Sequence, residues 1–264
     1  MAEKTQDLYL QQGKTRKNVL RVALGDQLEY RAISSITNTA PATIVTTTPH
    51  GLLNGWPCVV TCAKGMTEIN AEPNKREYSA SERKAATVID PTTIALNSVN
   101  AVGFKPYTGS GVLQYETPMD LTGYEARQHI RTKKGAELKL KCVIAGVSGT
   151  TRPTAAGQDG MVTWEATTDT VTLPWSAGAT YSQGDVVDPT ILFSMTTANG
   201  LIEIDTALQT LTRHYDAIDF TALTWKKGYY ELEIYKDEIR GAQTIETVYS
   251  PEEGFVYLDT ETTK

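Results

Sequence analysis

Histidine and cysteine, the residues on which much nucleophilic and metal chemistry depends, are scarce here: three of each in 264 residues. His50, His129 and His214 lie in separate segments, and Cys58, Cys62 and Cys142 make an odd number. That is too sparse for the disulfide framework of a small secreted domain, so the thiols are expected to be reduced. Cys58 and Cys62 form the sole local pair with a metal-like look. On a strand they would share a face roughly 13 Å apart, too far for one zinc ion or one disulfide. No G-x-S-x-G elbow, Walker A loop, Rossmann glycine pattern or H-E-x-x-H is present. The carboxylate pairs Asp185/Asp188 and Asp216/Asp219 fall in turn-like stretches, where Asp bonds its own backbone. The expectation is a protein that is not an enzyme, with no catalytic residue, no metal and no cofactor.

Clustered positive charge is missing as well. With 25 Lys and Arg against 31 Asp and Glu, the net charge is -6. No run of cations could track a phosphate backbone, which argues against nucleic acid as a partner. Long apolar runs are also absent. Ile191 to Met195 and Gly254 to Leu258 are far shorter than the roughly 20 residues of a membrane helix, so no membrane span is expected. The first seventeen residues lack the apolar core of a secretory signal, which implies synthesis in a cytoplasm.

What is abundant is threonine, with valine, isoleucine and tyrosine, residues whose branched or aromatic side chains suit a pleated sheet. Alternation appears at Val19 to Leu24, at Ala126 to Arg131 and most clearly at Tyr229 to Tyr235. In the last, Tyr230, Leu232 and Ile234 take one face, and Tyr229, Glu231, Glu233 and Tyr235 the other. One face is core and the other meets solvent or a partner. Turn signals recur at short intervals, as at Pro49-His50-Gly51, Asn54-Gly55, Asp90-Pro91, Ala198-Asn199-Gly200 and Lys226-Lys227-Gly228, which is the punctuation of an all-β sandwich or barrel. Helix signals are confined to a turn or two within 74–86 and to Asp216 to Leu223.

Against this background three groups of motifs carry resemblances. Thr48-Pro49-His50-Gly51-Leu52, Asn54-Gly55, Gly65-Met66-Thr67-Glu68-Ile69-Asn70, Thr92-Thr93-Ile94-Ala95-Leu96 and Tyr107-Thr108-Gly109-Ser110-Gly111 resemble, in order and spacing, a small β module that recurs in tailed-phage structural proteins. That module is often described as like the FCCH domain of ubiquitin-activating enzyme; the stretch from Pro73 to Lys84 is longer and more charged than its usual link. The flanking Leu8-Tyr9-Leu10-Gln11-Gln12-Gly13, Asp120-Leu121-Thr122-Gly123-Tyr124, Thr197-Ala198-Asn199-Gly200 and Gly228-Tyr229-Tyr230-Glu231-Leu232-Glu233-Ile234 resemble phage baseplate and upper-baseplate-type β-sandwich domains. Segments around Gly146 to Pro153, Asp159 to Ala166 and Trp175 to Val187 look like small phage and carbohydrate-binding modules.

Together the resemblances imply an all-β chain: a discontinuous β-sandwich platform at 1–36, 117–141 and 189–264, with few short helices and two inserted small β modules. The first insert, 37–116, would be the FCCH-like barrel, and the second, 142–188, the carbohydrate-binding-module-like unit. The function implied is that of a phage virion structural protein of the tail or baseplate, made in the host cytoplasm, which assembles with other tail proteins and with copies of itself and could link the tail to fibres or spikes. The alternative is a receptor- or glycan-binding adhesin, a head-fibre or tail-fibre adaptor. On that alternative Trp164, Trp175 and Tyr181 are candidate residues for a host surface glycan, because aromatic faces can stack on sugar rings. The competing role for all three is core packing, and their exposure separates the two. A glycan depolymerase would want a long repetitive β-helix and a convergent acidic cleft, and the sequence displays neither.

Overall fold

The structure, a computed structural model, describes residues 4–72, 75, 78–79, 81–143, 145–149, 164–167, 172–220, 223–240 and 243–259. The fold is all-β and of sandwich type. Strands take up 54% and helix 2%, and among the described residues no helix reaches seven residues. The N-terminal strands are β1 (Lys4–Thr5), β2 (Leu8–Gln11) and β3 (Arg16–Arg21). Six more follow: β4 (Ala23–Ile36), β5 (Ala42–Thr46), β6 (Pro57–Thr61), β7 (Lys84–Asp90), β8 (Thr93–Leu96) and β9 (Val112–Pro118). After β10 (Glu125–Arg131) come the short β11 (Leu140–Cys142), β12 (Val147–Ser148), β13 (Trp164–Ala166), β14 (Thr172–Pro174), β15 (Thr180–Tyr181) and β16 (Val186–Asp188). The chain closes with β17 (Ile191–Thr196), β18 (Ile202–Asp205), β19 (Thr210–Tyr215), the single turn α1 (Ala217–Phe220), β20 (Lys227–Arg240) and β21 (Gln243–Asp259). The helix expected within Asp216 to Leu223 is α1. Within 74–86, Lys84 onward is strand, and no helix occurs there among the described residues.

Contacts divide the chain into two compact units. The first holds residues 20–122 and 205–211. In it β4-β5-β8-β7-β6-β9 form a closed barrel. The long strand β4 serves both ends of the closure: residues 23–32 pair with β9 and residues 33–36 with β5, with irregularities near Leu28 and Ile33 where it bends. The barrel is filled by Ile44, Trp56, Val60, Met66, Ile94, Leu96 and Leu113. The motif residues act as its corners. His50 is 1% exposed; its Nδ1 accepts from the Leu52 amide at 3.0 Å and its Nε2 lies 2.9 Å from the Asp90 carbonyl, so the Pro49-His50-Gly51 turn is braced by its own histidine. The Asn70 side chain bonds both the amide and the carbonyl of Ala63, at 2.8 and 3.0 Å. Gly65 has φ +80°, and a Cβ there would meet the Pro106 carbonyl oxygen at 2.1 Å, so this corner requires glycine.

The second unit comprises the described residues of 4–19, 123–204 and 212–259. Its largest sheet has the order β1-β21-β20-β10-β17, with β2 also pairing β21. The alternation read at Tyr229 to Tyr235 places Tyr230, Leu232 and Ile234 at 0% exposure, where they pack with Ala126 and Ile130 of β10 and Val256 and Leu258 of β21 on the buried face. A β-bulge opposite Leu232 to Ile234 falls at Ser250 and Pro251, where an imino acid with no N–H to donate is tolerated. Most of a three-stranded sheet, order β18-β19-β3, belongs to this unit too. Between residues 140 and 188 lie a four-stranded sheet, β13-β11-β16-β14, and the β12–β15 pair.

Candidate interaction surfaces

Trp164, Trp175 and Tyr181, the residues picked out for sugar stacking, are brought together by β13, the segment after β14, and β15. They meet inside the unit, at 1%, 7% and 4% exposure. Trp175 and Tyr181 stack at 5.4 Å and 16°, and Trp164 meets both edge-on at 6.3 and 5.8 Å. Leu140, Cys142 and Val187 complete the cluster. The Tyr181 hydroxyl accepts from the Ser176 amide at 2.7 Å, and burial raises its pKa above that of an ordinary phenol. Gly149 lies against the Trp175 ring so closely that a Cβ would fall 1.6 Å from it. The ring faces are thus taken up by one another, which is the core-packing role. Residues 150–163 of the motifs around this cluster lie outside the described residues.

The carboxylates of Asp185 and Asp188 are occupied locally. Asp185 accepts from the Ser182 amide at 2.8 Å, and Asp188, its side chain fully buried, accepts from the Thr190 amide at 2.8 Å and pairs with Arg131. The Asp219 amide donates to the Asp216 carbonyl at 3.1 Å within a turn. Cys58 is buried in the barrel, which pushes its thiol up to about 12 and leaves it a poor nucleophile, while Cys62 is exposed just past the end of β6. Among the described residues no group of three His, Cys, Asp or Glu side chains is placed to hold a metal ion. Among the described residues no helix is long and apolar enough to cross a membrane.

The largest sheet offers two surfaces with a different character. The first is its outer face beside β2. Leu8 and Leu10 point inward from β2, and Val256 and Leu258 from β21, all at 5% exposure or less; the residues between them therefore point out. Tyr9 is 66% exposed and stacks on Tyr257 at 5.0 Å and 12°. Phe255 is 40% exposed and meets the edge of Tyr229 at 5.8 Å. Lys227 holds its ammonium 4.1 Å from the Phe255 ring centre and 5.2 Å from that of Tyr257. Lys134 lies over Tyr229 and is paired with Glu253 at 2.6 Å. Further along the same face the residues become ionic: Arg127 bridges Glu233 and Glu246 and sits 4.5 Å over Tyr235. Sequence reasoning found the outward face of β20 but missed Tyr9, Phe255 and Tyr257. Their signal was available in the aromatic–aliphatic alternation of Phe255 to Leu258 and of Leu8-Tyr9-Leu10.

The second surface is an arm. The β20–β21 ladder continues from Lys236↔Thr247 to Arg240↔Gln243, past Glu125↔Tyr235, the last pair that β10 contributes. No other strand pairs with this end of the hairpin among the described residues. Its apolar side chains are open to solvent: Ile239 is 82% exposed, Ile245 38% and, at the base, Val248 39%.

His129 sits between these two regions of the sheet, with Ser194 Oγ 3.0 Å from its Nδ1. Burial first, then the neighbouring Arg131 and Arg127 charges, lower its pKa to about 4, so the ring is neutral near pH 7. No protein-family model matches the chain, and no curated protein sequence matches it.

Proposed function

We propose that this chain is a non-enzymatic structural protein of a tailed-phage virion, a tail or baseplate component that works by binding copies of itself and neighbouring tail proteins. The motif resemblances to phage β modules and baseplate sandwiches supply the class. The observation that carries the mechanism is the β20–β21 arm. An isolated two-stranded hairpin is marginal in water, and among the described residues no third strand joins this one beyond Tyr235. Burying one isoleucine in an interface is worth about 1.5–3 kcal/mol. An arm with Ile239 outermost on one face and Ile245 on the other therefore gains stability when a neighbour covers either face or adds a strand. In a virion with many symmetric copies, modest contacts of this kind are multiplied. The aromatic–ionic face beside it would then be free for a fibre, a spike or solvent.

Cryo-electron microscopy of the purified particle is the test. The reading requires density for this fold at the tail end or baseplate, in symmetric copies, with the arm against another chain. Density at a fibre tip or on the head would favour the adhesin alternative, and absence of the protein from particles would overturn the structural reading.

A further inference from the structure

The two edges of the β20–β21 arm are not alike. Even-numbered residues of the β20 segment exchange backbone hydrogen bonds with β21, as Lys226 does in accepting from the Leu258 amide at 3.0 Å. The bulge adds its extra residue to β21, so this parity holds along β20 to the end of the strand. The amides and carbonyls of odd-numbered residues therefore point the other way. They face β10 as far as Tyr235, and past it, at Asp237 and Ile239, no third strand joins among the described residues. Neither a proline nor a bulge interrupts this edge, whereas the β21 edge runs into the bulge at Ser250 and Pro251, a feature that blunts an edge. Ile239, at 82%, is the most exposed large apolar side chain among the described residues, and it stands at the open β20 edge.

We infer that this edge is a self-association site, at which the β20 strands of two copies pair antiparallel about a two-fold axis through Ile239 and join both hairpins into one continuous sheet. The sequence of the edge argues for a second copy as the occupant. Antiparallel pairing must set odd-numbered residues of one copy opposite odd-numbered residues of the other, because these carry the outward backbone groups. A two-fold axis at Asp237, Glu238 or Arg240 meets that condition but sets a charge directly against its own twin, which destabilises the pair. An axis at Ile239 meets it without that conflict. It places isoleucine against isoleucine, and it sets Glu238 of each copy opposite position 240, an arginine, of the other. Glu238-Ile239-Arg240 is thus complementary to itself when reversed. The inference rests on the assembly reading for its role and names the partner that the arm takes.

The test is sedimentation equilibrium of the full chain. A single edge pairing is a small interface, so wild type is expected to be a reversible dimer with a dissociation constant of roughly 0.1–1 mM, weaker as salt rises. Glu238→Arg or Arg240→Glu alone is expected to weaken association about tenfold, and the two together to restore it, since the double swap rebuilds both cross-strand pairs with the signs exchanged. Ile239→Lys is expected to abolish the dimer, and Val102→Lys, at a side chain 66% exposed on the barrel unit, to leave it unchanged. Equal thermal melting of the variants certifies the fold. A wild type that stays monomeric at about 1 mM, a dimer unmoved by Ile239→Lys, or a double swap no better than either single would each overturn the inference. The assembly reading, decided by where the particle holds the chain, would survive all three.

Discussion

The buried face of the largest sheet holds an ion pair whose removal gives the sharpest energetic prediction. Glu252 lies opposite Leu232 on β21 and therefore points inward, at 2% exposure; Arg213 of β19 meets it at 2.9 Å with none of its own surface exposed. Every oxygen of the carboxylate is used. Oε2 and Oε1 accept from Arg213 at 2.9 and 3.2 Å, and Oε1 also accepts from the Tyr230 hydroxyl at 2.5 Å. Arg213 donates in addition to Asn18 at 2.9 Å and to Gln128 at 2.8 Å. Burial, and then the neighbouring carboxylate, drive the Tyr230 pKa far above that of an ordinary phenol, so this hydroxyl keeps its proton and donates it. Glu252→Gln preserves the shape and leaves the guanidinium buried with neutral acceptors alone, a change that costs about 3–5 kcal/mol. Such a loss is a large part of the roughly 5–15 kcal/mol that holds a domain together. Hydrogen exchange of the amides in 227–235 reads it directly, since 3–5 kcal/mol corresponds to exchange faster by about two to four orders of magnitude. Removing both charges, as Arg213→Met with Glu252→Leu, is expected to restore most of the protection, because the cost lies in the orphaned charge rather than in the lost pair. A Glu252→Gln effect below about tenfold, or a double variant no better than the single, would refute this reasoning.

Other outcomes follow from the same geometry. Trp175→Ala opens the interior of the Leu140–Val187 cluster and is expected to cost about 3–5 kcal/mol in a denaturant titration. Gly149→Ala places a methyl inside the Trp175 ring and should destabilise the same cluster in the same assay. His129 is neutral when folded and ionises at about 4, against 6.5 for its ordinary value. Its contribution is therefore fully present above pH 6.5 and is lost as pH falls toward 4, by at most about 3 kcal/mol. The groups around it are Arg127 and Arg131 on its own strand, Glu231 across on β20, Ser194 on β17, and Asp188 and Lys139. His129→Gln should flatten that part of the stability–pH profile; an unchanged slope between pH 6.5 and 4 would contradict it.

Sequence carried the class of fold because period-2 alternation and short-interval turns are local signals. Tyr229 to Tyr235 told inside from outside correctly, and the PHGL turn was legible as a corner because its histidine bonds the Leu52 amide two residues on, although its other ring nitrogen meets Asp90, 40 residues away. Positions decided by non-local pairing were harder. Glu252 reads as a surface carboxylate, and its inward direction follows only from the phase of Val256 and Leu258 and from Arg213, 39 residues earlier. Val19 to Leu24 reads as one strand, yet Val22 separates β3 from β4, and the long β4 supplies the barrel. The aromatic trio was singled out by residue type, but exposure depends on partners brought from β11 and β16, which no local pattern encodes.

The central claim, that the chain works by assembly through the β20–β21 arm, is tested most directly by photo-crosslinking inside the assembled particle. A photoreactive residue at position 239, 82% exposed on the arm, is compared with one at position 102, 66% exposed on the barrel unit. The account predicts a crosslink from 239 to another copy or to a second tail protein, abolished when Val248→Lys, on the same face of the hairpin, accompanies it. No crosslink from 239 in intact particles, or the same products from both positions, would contradict it.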